Sequence, residues 1–91
     1  MTEPPAGPAP GPRVRVRLPD GQHITAQLTE RRRRPDGTWW YVVTLALWSE
    51  LDDQWGHHAA AYDVVMVVPV ESCAAVPGED YSGVPTVRER G

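Results

Sequence analysis

Residues 13–21 read Arg13-Val14-Arg15-Val16-Arg17-Leu18-Pro19-Asp20-Gly21, and this stretch decides the fold. The alternation sends Val14, Val16 and Leu18 to one face and Arg13, Arg15 and Arg17 to the other, which is the period of a half-buried strand. Pro19-Asp20-Gly21 then supplies a turn: proline presets φ, aspartate accepts a local hydrogen bond and glycine takes positive φ. From His23 to Arg31 the alternation resumes with Ile24, Ala26 and Leu28 inward, so the first two strands form a hairpin.

Arg34-Pro35-Asp36-Gly37 repeats the turn chemistry and leads into Trp39–Trp48, rich in the aromatic and β-branched residues that strands favour. Trp39, Tyr41, Val43, Leu45 and Leu47 form the more apolar row and are expected to face the core. Trp40, Val42, Thr44, Ala46 and Trp48 form the other row. Ser49–His58 reads as a polar, acidic loop. Ala59–Tyr62 is open between strand and a helical turn, because three alanines permit either. Val64–Val68 reads as a buried strand stopped by Pro69, and Val70–Val76 as a short final strand. Beyond the Pro77-Gly78 breaker, Glu79–Val87 is expected to pack Tyr81 and Val84 back onto the sheet.

The fold expected is a single all-β domain over residues 13–87: a small curled antiparallel sheet or an SH3-like partly open barrel of about five strands. Curling conceals strand edges that a chain of this size cannot otherwise protect. Residues 1–12, rich in Pro and Gly, are expected to be a disordered tail, and residues 88–91 to fray. The Pro5-x-x-Pro8 spacing in the tail follows from composition.

The 91 residues suffice for one small hydrophobic core. Hydrophobic residues make up 41% and charged residues 23%, which fits a globular chain. The longest apolar run, Tyr41–Trp48, is too short to span a bilayer, the N-terminus has no signal-peptide pattern, and one cysteine makes no internal disulfide. These features argue against a membrane protein, a disulfide-framed mini-protein and a multidomain enzyme, and lead to the expectation of a cytoplasmic domain. Lys, Asn and Phe are absent while Arg, Pro, Gly and Ala abound, as in chains from GC-rich genomes.

Charge is distributed unevenly. Residues 13–34 carry seven arginines against Asp20 and Glu30, whereas residues 35–91 carry two arginines against nine acids. If the rows of the first and third strands share a face, Arg13, Arg15 and Arg17 stand with Trp40 and Trp48 on one surface. Guanidinium groups beside indoles suit a protein interface, where Trp and Arg are favoured, and they also suit bases and phosphates. The competing structural reading has the segment after Pro69 folding over the Trp row. Arg31, Arg32, Arg33 and Arg34, at the tip of the second hairpin, are a candidate nucleic-acid contact, or a solvated tip neutralised by Asp52, Asp53, Glu79 and Asp80.

Metal and catalytic signals are weak. Adjacent His57 and His58 point apart in an extended segment, and His23 and Cys73 have no ligand spacing, so no metal site and no cofactor are expected. The acids Glu50, Asp52 and Asp53 lack the pattern and central glycine of a calcium loop. Ser49, Asp52, His57, His58 and Cys73 are the right residue types for catalysis, but no nucleophile or phosphate motif fixes them, and a chain this small is expected to leave little room for a pocket.

The segments "VRVRLPDG", "GTWWYVVTLALW" and "GEDYSGVP" together resemble small uncharacterised β-rich proteins of Streptomyces-type actinomycetes, some carried on plasmid-like or integrative elements. The resemblance covers residues 13–87. It implies a source, an intracellular location and a mobile-element setting, and it transfers no activity and no site residues. The sequence therefore points to a non-enzymatic binding or adaptor module. Its partner is a protein met by the Arg/Trp surface or, alternatively, a nucleic acid met by Arg31–Arg34; no membrane contact is expected, and the oligomeric state stays open.

Overall fold

The structure is a computed structural model, and it describes residues 11–90. Six strands follow in order: β1 (Arg13–Arg17), β2 (His23–Arg33), β3 (Trp39–Asp53), β4 (Gly56–Pro69), β5 (Cys73–Ala75) and β6 (Thr86–Arg88). A single turn of 3-10 helix, Val70–Ser72, joins β4 to β5. The sheet runs β4-β3-β2-β1-β5, all antiparallel, and β6 pairs in parallel with β2. It is the curled open sheet of the two forms expected; β4 and β5 end the path unpaired with each other.

The alternation in β1 has its expected result. Val14 and Val16 are buried and the three arginines are exposed. Ala26, Leu28 and Val43 join them in the core, with Ile24, Tyr41, Leu45, Met66 and Val68 packed around it. Val84 is buried in the same cluster and Tyr81 packs against it, as expected of the returning C-terminal segment. Tyr81 fastens that segment: its hydroxyl accepts from the Val76 amide at 2.8 Å and donates to the Arg13 carbonyl at 2.6 Å. At the turns, Gly21 and Gly37 have φ of 89° and 86°, the left-handed conformation for which Pro-Asp-Gly selects glycine.

Four differences from the expectations bear on function. Ser49–His58 is not a loop, and Ala59–Tyr62 is strand. β3 and β4 pair without a register shift from Trp40–Pro69 to Asp53–Gly56, closed only by Gln54 and Trp55. The Asp53 carboxylate accepts the Trp55 amide at 2.8 Å, and Gly56, at φ 114°, completes the turn. The tail boundary is earlier, since the Pro12 carbonyl already accepts the Leu28 amide at 2.7 Å. The rest of the Pro/Gly-rich stretch, with Pro5 and Pro8, lies outside the described residues.

Arg88 does not fray; it pairs with Arg33 in β6, and the Glu89 amide reaches the Arg33 carbonyl at 2.9 Å. β6 takes the edge of β2 that β1 leaves vacant beyond Gln27. Finally, β2 carries a bulge at Thr29, whose hydroxyl donates to the Val42 carbonyl at 3.1 Å. One extra residue shifts the alternation by one, so side chains after it exchange faces.

Candidate functional site

Register settles which side chains share a face. Arg13, Arg15 and Arg17 lie opposite Gln27, Thr25 and His23, and Gln27 lies opposite Thr44. Alternation along β3 from Thr44 then puts Trp40, Val42, Ala46 and Trp48 on the arginine side of the sheet. The segment after Pro69 packs on the opposite, core side through Val84 and Tyr81, and Trp48 remains 78% exposed. That segment therefore does not cover Trp48.

The row is nonetheless two places and not one. β2 and β3 pair only from Gln27–Thr44 to Arg33–Trp39. Beyond Thr44, β3 has β4 alone as a neighbour, so residues 45–64 form a two-stranded ribbon projecting from the sheet. Trp40 sits at the base of β3. Its indole donates to Thr38 Oγ1 at 2.9 Å and is covered by the Arg34 guanidinium, 4.0 Å from the ring centroid. Trp48 stands about 27 Å further along the strand, at about 3.4 Å per residue. Between them Val42 is buried.

The arginine run divides for the same geometric reason. Because the Thr29 bulge inverts the alternation, Arg31 turns to the core side and donates to the Tyr81 carbonyl at 3.1 Å. Arg32 faces the other way, 2.6 Å from Glu30 and 3.9 Å from Glu89. The hydrogen bond that Arg32 donates to Glu30, followed by the Glu30 charge, raises the Arg32 pKa. Arg33 lies over Trp39 at 5.4 Å, and Arg34 is 3.9 Å from Glu89. The run is thus engaged within the chain by Glu30 and Glu89. Of the acids expected to neutralise it, Glu79 instead pairs with Arg13 at 3.0 Å, while Asp52 and Asp53 stand beside histidines. Arg15 and Arg17 have no ion pair among the described residues.

Most of the exposed apolar side chains lie on the ribbon; Val65 and Val67, just below it on β4, and Val87 on β6 lie outside it. Trp48, Val65 and Val67 lie on the arginine side; Leu47, Leu51 and Tyr62 lie on the other; Trp55 tops the turn at 83% exposure. Leu51 and Trp55 escape a reading that makes Ser49–His58 a loop and Tyr62 one that leaves Ala59–Tyr62 open, while Val64–Val68 is a strand but not a buried one, since Val65 is 64% exposed at the sheet's terminal strand. The signal for them is present: Leu45, Leu47 and Leu51 keep period two through Ser49, and Asp53-Gln54-Trp55-Gly56 has turn chemistry. Ribbon residues 45–64 carry Glu50, Asp52, Asp53 and Asp63 and no arginine or lysine.

The polar clusters have a local character. His57 Nδ1 lies 2.6 Å from Asp52 and its Nε2 3.8 Å from Glu50, whereas His58 approaches Asp53 at 3.7 Å on the other side of the ribbon. The two histidines point apart, as their adjacency in an extended segment requires. Cys73 is half-buried, its Sγ 3.7 Å from the Pro69 carbonyl oxygen, and burial, then the nearby Glu71 charge, pushes its thiol pKa up. About 40 Å of strand separates Pro69 from His57, so these groups meet in no common site. Among the described residues no group of three or more His, Cys, Asp or Glu side chains is placed to hold a metal ion.

The molecule holds more open space than its size suggests. A groove of about 660 Å³ runs along the seam between the β1–β2 turn and the end of β4, lined by Val16, Leu18, Met66 and Val68, with Arg17 its one charged residue. Fold and surface define a small all-β protein with a projecting ribbon. No helix among the described residues is long and apolar enough to cross a membrane. Comparison of the chain with protein families, curated proteins and solved structures finds no match.

Proposed function

We propose that this protein is a non-enzymatic binding module that takes a protein partner on the Trp48 side of the β3–β4 ribbon, with Arg15 and Arg17 flanking the contact. The observation that carries this reading is the exposure of Trp48 on a ribbon that also exposes Trp55, with Val65 and Val67 exposed on the same side of β4 just below it. Exposed indoles beside unpaired guanidiniums are the residues that dominate protein interfaces. A two-stranded ribbon is marginal in water on its own, so a partner covering it stabilises both. Trp40 belongs to the base cluster with Arg34 and contributes structure.

The nucleic-acid alternative has less support. Arg31, Arg32 and Arg34 are already bound to Tyr81, Glu30 and Glu89, and the ribbon beyond them is acidic. Catalysis has less still: the seam groove holds no acid or histidine, and His57 and Cys73 lie far apart. The segments resembling small actinomycete proteins support such a source and, with it, a cytoplasmic setting.

The test is affinity capture from nuclease-treated lysate of the source cells. The wild-type chain is expected to retain a protein that Trp48→Ala loses, while Arg32→Ala and Arg34→Ala retain it. Equal capture by wild type and Trp48→Ala overturns the proposal. Loss restored by adding nucleic acid favours the alternative.

A further inference from the structure

We infer that the outer edge of β4 pairs with the same edge of a second copy of this chain, in antiparallel register about Ala60. This goes beyond the partner-binding reading, because the pairing uses the strand edge and leaves the Trp48 side of the ribbon open. β4 is the terminal strand of the sheet, and its 14 residues pair with β3 without a bulge. Edges that stay unpaired are normally blunted by proline, charged side chains or a bulge; β4 has no proline before Pro69, no bulge, and Asp63 as its one carboxylate. A long edge with unbroken register templates another strand.

The side chains select the occupant. The two-residue closure between Asp53 and Gly56 makes that pair hydrogen-bonded, so bonding to β3 falls on the even-numbered residues of β4. The backbone groups of His57, Ala59, Ala61 and Asp63 therefore point to the open edge. Two copies related by a two-fold axis can bond only in registers that place these odd positions opposite one another. Centring the axis on Ala60 puts His57 opposite Asp63 of the other copy, twice, and Ala59 opposite Ala61, twice.

On the opposite side of the ribbon His58 meets Tyr62, and Ala60 meets itself. No acid directly faces an acid, whereas an axis at Asp63 sets the two Asp63 carboxylates against each other. Around His57 stand Asp52 and Glu50 from its own β3, and Asp63 from the second copy completes an acidic surround. The alanines at 59–61 leave the seam free of bulk, and Trp48, opposite Ala61, lies beside it. Two marginal ribbons become one four-stranded sheet, the size at which such a structure stands on its own, and the interface is isologous, as a closed dimer requires.

Sedimentation equilibrium of the intact chain over a wide concentration range tests this. The expected result is a reversible monomer–dimer equilibrium. Ala61→Pro removes an outward donor without touching a β3 bond, and it is expected to hold the chain monomeric where wild type is dimeric, with the circular dichroism of wild type. A second measurement needs no proline. In a Cys73→Ser background, Ala60→Cys is expected to oxidise to a covalent dimer, because residues paired at the axis in a non-hydrogen-bonded position lie about 4.5 Å apart between Cα atoms, within disulfide reach. Ala59→Cys is expected to stay unlinked.

A wild type that is monomeric at every concentration overturns the inference, as does a dimer in which Ala60→Cys fails to cross-link or Ala59→Cys links as well. A monomeric wild type that still loses its captured protein on Trp48→Ala removes the dimer and leaves the partner reading intact. A dimer with no Trp48-dependent capture does the reverse.

Discussion

Tyr81→Phe is expected to loosen the C-terminal segment while leaving the ring packed. The hydroxyl bridges two backbone groups, accepting from the Val76 amide at 2.8 Å and donating to the Arg13 carbonyl at 2.6 Å. Each hydrogen bond of this kind contributes about 0.5–1.5 kcal/mol net. The Val76 amide is partly buried and is poorly rehydrated after the change, whereas the Arg13 carbonyl can reach water. The expected loss is about 1–2 kcal/mol, corresponding to a fall in Tm of about 4–16 °C for a domain of this size. Denaturant unfolding followed by tryptophan fluorescence measures it, with Tyr62→Phe as control, since Tyr62 is exposed and its hydroxyl makes no hydrogen bond among the described residues. If Tyr81→Phe is as stable as that control, the segment is not fastened across β1. The argument that it packs on the core side, leaving Trp48 bare, then loses its anchor.

Three further outcomes follow from packing and titration. Leu28→Ala, at a position only 1% exposed, is expected to cost about 2–5 kcal/mol in denaturant unfolding, whereas Trp48→Ala stays within about 0.5 kcal/mol of wild type. Hydrogen bonds from Thr38 hold the Asp36 carboxyl below the usual carboxylate pKa, and bonds from Ser82 do the same for Asp80. Their contribution is present above the unfolded value of about 3.9 and is lost as pH falls through the lower folded value. Urea midpoints are thus expected to drop below about pH 4, and less steeply in the Asp36→Asn, Asp80→Asn variant; identical slopes contradict this. Burial, then the Glu71 charge, raises the Cys73 thiol, so the folded chain is expected to react with a thiol reagent at neutral pH more slowly than the unfolded chain; equal rates contradict the half-buried placement.

Much of the fold is legible in residues 13–48, because alternation and Pro-Asp-Gly turns agree there: local chemistry and tertiary burial ask for the same conformation. The side shared by Arg15, Arg17 and Trp48 follows from the same alternation. Three things are not legible. The Thr29 bulge, which sends Arg31 and not Arg32 to the core side, leaves no mark in composition, since a bulge is set by how two strands meet. The ribbon from Leu45 to Val64 hides behind polar and alanine residues, because a projecting hairpin exposes both faces and loses the contrast that alternation supplies. β6 is three residues long and exists only because β1 vacates the edge of β2 beyond Gln27.

The account depends on the ribbon being ordered, with one edge of β4 bonded and the other available. Amide hydrogen exchange along β4, read residue by residue at low and high protein concentration, tests this most directly. The amides of His58, Ala60 and Tyr62, which face β3, are expected to be protected at both concentrations. Those of Ala59 and Ala61 are expected to exchange quickly in dilute solution and to become protected as the concentration rises. Uniformly fast exchange from Leu45 to Val64 would mean that the ribbon does not stand; protection of Ala59 and Ala61 that is independent of concentration would mean that their edge is already occupied within the chain.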